Sequence, residues 1–203
     1  DFHGSLTREM VSHAYLRAVG LQRIFAAIER WIDDLGDAAV ASSWDNAEEI
    51  STIRTKSSAI PIIDGTRLGM FIGVSDRGAL RKKYGIPEEK VLVSYTGALI
   101  PNKGIKLFLE AVPLIFPDVH FLIAGFPVDQ IASFLEKDVF KAHATVVSPL
   151  PYFDLPELLL MSDVGVDPKE ATTKQASGKM LQYMGAGLPV ACFDTENNRE
   201  YLG

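Results

Sequence analysis

The chain has 203 residues, 47% of them hydrophobic and 23% charged, with a formal charge of -6. That composition can bury a real core, in one large domain or two small ones, and it excludes a disordered or fibrous protein. The acidic balance argues against a nucleic-acid surface, which needs a basic field, although small anions can still bind locally.

The chain opens on Asp1 with few residues before a turn at Gly4, so any strand leading into that turn lacks its first half and the start reads as cut. Residues 6–35 carry a helical pattern, with Met10, Tyr15, Val19, Ile24, Ile28, Trp31 and Ile32 near one face and arginines elsewhere. AAVASS (38–43) predicts a strand, 45–56 a second helix, and SAIPII (58–63) a second strand. Between 67 and 89 the apolar period is lost, and glycines interrupt it, which predicts a linker and a short basic helix, RGALRKKYG.

Alternation is clearer beyond that point. VLVSYT (91–96) has the β-branched and aromatic content of a buried parallel strand. A loop with Pro101, Asn102, Lys103 and Gly104 leads to a helix built on Ile105, Phe108, Leu109, Val112, Ile115 and Phe116, which Pro113 is expected to kink. There follow VHFLIAG (119–125) as a strand, 129–137 as a helix, TVVS (145–148) as a strand and FDLPELLLM (153–161) as a helix. VGVD (164–167), GKMLQYMGAG (178–187) and PVACF (189–193) complete the run as strand, helix and strand. A last helix begins near Asn197, with Asn197 and Glu200 in capping-box spacing, and the chain stops at Gly203 shortly after, so this end also reads as cut. Strand–helix repeats with such short connections predict an α/β fold with a parallel, doubly wound sheet. The single cysteine, Cys192, rules out an intrachain disulfide and fits a reducing compartment. With no run of about 18 apolar residues and no signal peptide, the expected location is cytoplasmic.

Three places carry candidate chemistry. In TGALIPNKGI (96–105) a strand ends at Gly97 and its loop delivers Lys103 and Gly104 to a helix start, the end of a doubly wound sheet at which ligands bind. A cation beside a helix N-terminus suits a diphosphate, while a solvated lysine in a polar turn fits the same residues. In TTKQASGKMLQYMGAGLPV (172–190), Ser177 is a candidate N-cap, and Gly178 permits close backbone approach to a ligand. Lys179 stands in the first turn of that helix, where it opposes the dipole; a bound anion accounts for it better than helix stability, with a tolerated surface lysine as the alternative. Gln182 follows on the same face, whereas Met180, Leu181 and Met184 read as core. In DFHGSL (1–6), His3 sits at a strand-to-helix turn, a position shared by functional and merely solvated histidines. His13, His120 and His143 read as structural. There is no zinc ligand pair, P-loop, G-x-G-x-x-G or nucleophile elbow.

Taken in this order, the three segments resemble the retaining GT-B glycosyltransferases known as glycosyl transferases group one, over nearly the whole chain. SAIPIIDGTRLGMF (58–71) is similar to that family's passage into its interdomain linker, and QYMGAGLPVACFD (182–194) to its E-A-M-A-A-G-x-P-V signature. The resemblance implies a GT-B architecture of two Rossmann-like domains with the N-terminal one truncated: 1–66 from the acceptor-side domain, 67–90 as linker, and 91–203 as the nucleotide-sugar-binding domain. It implies that Lys103, in a loop with Gly104, contacts a donor diphosphate; from the residues themselves Lys179 and the backbone amides after Ser177 are expected to hold the same group, with Gly97 and Gly178 beside it. It also implies that His3 faces the donor sugar, that Gln182 stands where the family places a ribose-holding Glu, and that closure of the two domains excludes water. Ala98 stands where many members have an Arg, and Lys174 where they have another Glu, for which Glu170 is the nearest carboxylate.

The activity so implied is transfer of a sugar from a nucleoside-diphosphate sugar to a hydroxyl of a glycan, lipid or small molecule, with retention. No metal and no cofactor beyond the donor substrate is expected, and no nucleic-acid partner. Peripheral association with the inner membrane face through the N-terminal domain stays open. A nucleotide-sugar epimerase of the same fold, and a catalytically degenerate nucleotide-sugar-binding partner subunit, are the alternatives.

Overall fold

The computed structural model describes residues 2–12, 15–73, 76–115, 117–169 and 177–202. They form two compact units, one of 2–64 with 195–202, the other of 65–169 with 177–194.

The first unit opens on an edge residue. Phe2 makes a single isolated parallel bridge to Ala41, its amide donating to Val40 O at 2.8 Å, just before the turn at Gly4. The region expected as one helix over 6–35 is instead two, α1 (Leu6–Ser12) and α2 (Val19–Leu35). The physical reason is local. The amides of Tyr15 and Leu16 both turn back to Met10 O, at 2.9 and 3.2 Å, which widens the last turn of α1, and Ala18 is extended before α2 begins. None of the residues of α2 is buried, and Ile24, Ile28 and Trp31 are exposed. Strand β1 (Val40–Ala41), helix α3 (Trp44–Ile53) and strand β2 (Ile60–Pro61) form a parallel crossover over a small core of Phe2, Ala41, Ala47 and Ile50. Ser43 caps α3, its Oγ accepting from Asn46 N at 3.1 Å.

In the second unit helix α4 (Arg77–Tyr84) precedes β3 (Val91–Ala98), α5 (Ile105–Ile115), β4 (Val119–Phe126), α6 (Ala132–Leu135) and α7 (Asp138–His143). Then come β5 (Ala144–Val147), α8 (Leu155–Leu160), β6 (Val164–Asp167), α9 (Gly178–Gly185) and β7 (Val190–Cys192). The strands lie in the order β5-β4-β3-β6-β7, all parallel. Side-chain alternation builds the two cores. Tyr95, Phe121 and Ile123 pack with Phe108, Leu109, Val112 and Phe140 of α5 and α7, while Leu92, Leu122 and Ala124 pack with Leu80 of α4, Leu158 of α8 and Met161 just after it. Pro113 falls in the last turn of α5. The helix expected over 129–137 is broken into a 3-10 turn, α6 and the start of a separate α7, because Lys137 N turns back tightly to Phe134 O and Lys137 itself is extended.

The segment 67–90, expected as a linker, contributes to the core of this unit. Leu80 and Ile86 are buried, and Arg81, 3% exposed, ties α4 to the sheet. Its guanidinium donates to the carbonyls of Met161, Pro87, Glu88 and Lys90 and, at 2.7 Å, to Asp163 Oδ2. Burial opposes ionisation of Asp163, but the Leu92 amide and the guanidinium groups of Arg77 and Arg81 outweigh it and hold the carboxyl below its ordinary 3.8. A depressed carboxylate contributes stability that is present above the unfolded value and is lost as pH falls through the folded one. Arg81→Ala is therefore expected to lower unfolding free energy by about 3 kcal/mol in urea titrations, and to shrink the loss of stability below the ordinary carboxylate range. An unchanged midpoint would remove this anchoring role.

The last described element, α10 (Glu196–Leu202), clusters with the first unit rather than with the expected 91–203 domain, and the Trp44 and Tyr201 rings meet edge to face at 6.0 Å. Its cap is Thr195, whose Oγ1 accepts from Asn198 N at 3.1 Å, rather than the expected Asn197.

Candidate functional site

In the five-stranded sheet, the chain winds outward from β3 through β4 to β5 on one side and through β6 to β7 on the other. From the neighbouring strands β3 and β6 the chain thus proceeds in opposite directions across the sheet, and it is beyond the carboxyl ends of the strands at such a switch point that open α/β sheets hold ligands.

The backbone at the end of β3 is shaped by glycine. Gly97 has φ +123°, and a Cβ there would stand 3.5 Å from Lys179 Cε. Gly104, at φ +74°, lies so close to the loop after β6 that a Cβ would meet Pro168 O at 2.0 Å. Lys103 is thereby held on a loop fitted directly against the one that carries Asp167, Pro168 and Lys169.

Lys179 reaches in from the first turn of α9. Its side chain is 11% exposed, with Nζ 3.7 Å from Asp167 Oδ1 and 3.9 Å from the centroid of the Tyr95 ring. The ring face offers a cation–π contact of up to about 2 kcal/mol in a desolvated site. Asp167, the last residue of β6, is completely buried, and neither of its carboxylate oxygens has a hydrogen-bond partner among the described residues. Lys169 is 7% exposed. Burial pushes both amines down to about 8; Asp167 opposes this, while Lys103 reinforces it for both and Lys169 reinforces it for Lys179. Three lysines against one aspartate leave a formal charge of +2 when all are ionised.

Tyr183 fixes α9 to the strand tips. Its hydroxyl accepts from Thr96 N at 2.9 Å and from Thr96 Oγ1 at 3.1 Å, and donates to Val166 O at 3.4 Å. Its ring lies flat over β6 at Gly165, where a Cβ would stand 2.5 Å from ring carbons. Burial drives the Tyr183 and Tyr95 phenols well above their ordinary range, so both are neutral donors at any working pH.

Of the residues singled out in the sequence, Gly97, Lys103, Gly104, Ser177, Gly178, Lys179 and Gln182 all belong to this second unit. Ser177 occupies the N-cap position of α9 but makes no capping bond; at φ -112° and ψ 86° its buried Oγ has no hydrogen-bond partner among the described residues. Lys179, which the sequence assigned to an external anion, is met first by an internal one, Asp167. Gln182 is half-buried one turn further along α9. Glu170 and Lys174 lie outside the described residues, as does His13. His3 is exposed in the first unit, in the turn after Phe2. Of the histidines read as structural, His120 is buried, with Nε2 2.9 Å from Thr145 Oγ1. Sequence reasoning missed Asp167 and Lys169. Their signal was available: Asp167 ends the strand VGVD and Lys169 stands two residues beyond it, at the carboxyl end of the sheet that also carries Lys103.

The profile of the family described as "Glycosyl transferases group 1" matches residues 76–203. "Putative glycosyltransferase YtcC" of Bacillus subtilis (strain 168) is 31% identical over 141 residues, 64% of this chain and 34% of that protein. Among solved structures, Anabaena Alr3699/HepE in complex with UDP-glucose superposes with a TM-score of 0.78 at 15% identity, over 98% of this chain and 54% of that one. WaaG, a glycosyltransferase involved in lipopolysaccharide biosynthesis, does so with a TM-score of 0.77 at 18% identity, over 98% and 56%. The chain thus spans about a third of the length of YtcC and about half of each of these two structures.

Proposed function

The chain belongs to the glycosyl transferases group 1 family, and from that premise we propose that it acts in transfer of a sugar from a nucleoside-diphosphate sugar to an acceptor hydroxyl, with retention. Its fold is the α/β arrangement of the GT-B glycosyltransferases. One observation carries the proposal: Lys103, Lys169 and Lys179 converge at the switch point between β3 and β6, with two of the three nearly sealed from water.

Cations in a desolvated, pre-organised crevice stabilise negative charge that grows on a leaving group far better than they would in water. A departing nucleoside diphosphate gathers such charge as the glycosidic bond breaks. In this reading Lys103 and Lys179 hold the diphosphate, Gly97, Gly104 and Gly178 let the backbone approach it, and the first-turn amides after Ser177 add donors. Gln182 offers an amide to a hydroxyl of the donor. His3 contacts the transferred sugar. The UDP-glucose in complex with Alr3699/HepE supports a UDP-linked sugar as the first candidate.

Calorimetry with UDP, GDP and ADP, followed by product analysis with the matching nucleotide sugars, tests this. Binding of one diphosphate together with transfer to an acceptor is the expected result. Tight binding without transfer would favour a partner subunit instead, and binding of none would end the diphosphate reading. Lys103→Ala is expected to weaken diphosphate binding about tenfold, the scale of one charge-assisted hydrogen bond, with the melting temperature little changed. Unaltered affinity and turnover would take Lys103 out of the site.

A further inference from the structure

A carboxylate on the floor of an anion site repels the ligand, so diphosphate binding leaves Asp167 unexplained. It is completely buried at the end of β6, where register with Cys192 of β7 fixes its backbone. Its Oδ1 stands 3.7 Å from Lys179 Nζ, and the sequence continues through Pro168 to the buried Lys169.

We propose that Asp167 is a positioning residue: an internal anion that keeps the Lys179 ammonium charged and seated over the Tyr95 ring, so that the cation is in place before a diphosphate arrives. The role rests on the diphosphate reading above. Four groups act on this carboxylate, Lys179 and Tyr183 from α9, Tyr95 from β3 and Lys169 beyond β6, while Lys103 from the loop after β3 acts on both of the other lysines. For Lys179 the balance is one-sided. Burial, Lys103 and Lys169 all push the ammonium toward its neutral form, and among the described residues Asp167 is the one charge that resists them; the outcome is about 8. Without Asp167 the amine loses its proton at lower pH, and a neutral amine over an aromatic ring has lost both its attraction to phosphate and its cation–π contact.

The sign is then fixed. Anion binding requires protonated Lys179, so affinity falls as pH rises through its pKa, about tenfold for each pH unit beyond it. In the wild type the fall begins near 8. Titration of UDP, GDP or ADP, whichever binds, across about pH 6 to about pH 9 is the experiment, comparing wild type with Asp167→Asn. At the acid end the variant is expected to bind as tightly as wild type or more tightly, since a repelling charge is gone. By about pH 8 it is expected to be at least tenfold weaker. A ratio of affinities that stays constant across the range overturns the role, because a merely structural contact moves affinity without moving the pH profile. A wild type that binds no nucleoside diphosphate overturns the reading beneath it; a wild type that binds, paired with a constant ratio, overturns only Asp167.

If Asp167→Asn does not fold, melting of Lys179→Met and of the double variant Asp167→Asn/Lys179→Met decides. The pair predicts a higher melting temperature for the double variant, because Lys179→Met alone strands a buried carboxylate beside a single buried lysine. A double variant no more stable than Lys179→Met overturns the pairing.

Discussion

Replacing Lys179 by methionine is expected to weaken nucleoside-diphosphate binding by about 100-fold and to abolish measurable sugar transfer. The substitution keeps the length and apolar stem of the side chain, so it deletes a charge with little change in volume. What is lost is a charge-assisted contact in a water-poor crevice, on the order of 3 kcal/mol, which is the stated factor in affinity. Stability is expected to fall as well, because among the described residues Asp167 then keeps Lys169 alone to offset its burial; breaking a buried ion pair from one side costs about 3 kcal/mol. Calorimetry and thermal melting on the same preparation separate the two effects. Wild-type affinity in Lys179→Met would dissolve the cationic cluster as the seat of binding, however well the fold survived.

The second large effect needs no charge at all. Gly104 and Gly187 share a backbone of φ +74°, but a Cβ at Gly104 meets Pro168 O at 2.0 Å, whereas one at Gly187 meets nothing within 4 Å. Gly187→Ala therefore isolates the conformational penalty of a left-handed alanine, about 1 kcal/mol. Gly104→Ala adds a clash between two backbones that neither side chain can relieve, and is expected to lower stability by about 3 kcal/mol or more. It also drives the loop with Lys103 away from the loop with Asp167 and Lys169, so donor affinity falls with it. Denaturant titration of both variants gives the comparison. Equal losses at the two glycines would mean that the fit of the two loops is looser than the structure has it.

How far the sequence led depends on how local each cause was. The strands β3, β4 and β6 were legible because a buried parallel strand needs an unbroken run of β-branched and aromatic residues, and VLVSYT, VHFLIAG and VGVD supply it in place. The break between α1 and α2 was not legible, since the apolar spacing of Met10, Tyr15 and Val19 continues across it; the interruption lies in backbone bonds to Met10 O. Likewise Thr195 rather than Asn197 caps α10, a matter of one hydroxyl reaching one amide. Lys103 and Lys179 were found because each stands in or beside a glycine-marked turn. Asp167 and Lys169 were missed because their significance comes from a neighbour distant in sequence, with α9 bringing Lys179 over the end of β6. A search of every charged residue at or just past a strand's carboxyl end would have gathered them.

The Tyr183 ring pressed on Gly165 has a consequence for how variants of this protein are read. Any side chain at position 165 must lift the aromatic off the sheet, and that lever unseats the hydroxyl from Thr96 and carries the start of α9, with its ammonium, out of register. In a screen scored by turnover, Gly165 would rank beside the lysines, though it lies below the crevice and has no atom with which to do chemistry. Intolerance at this glycine measures the stiffness of the platform, and assays of folding and of ligand capture must be run in parallel before such a position is credited with a part in the reaction.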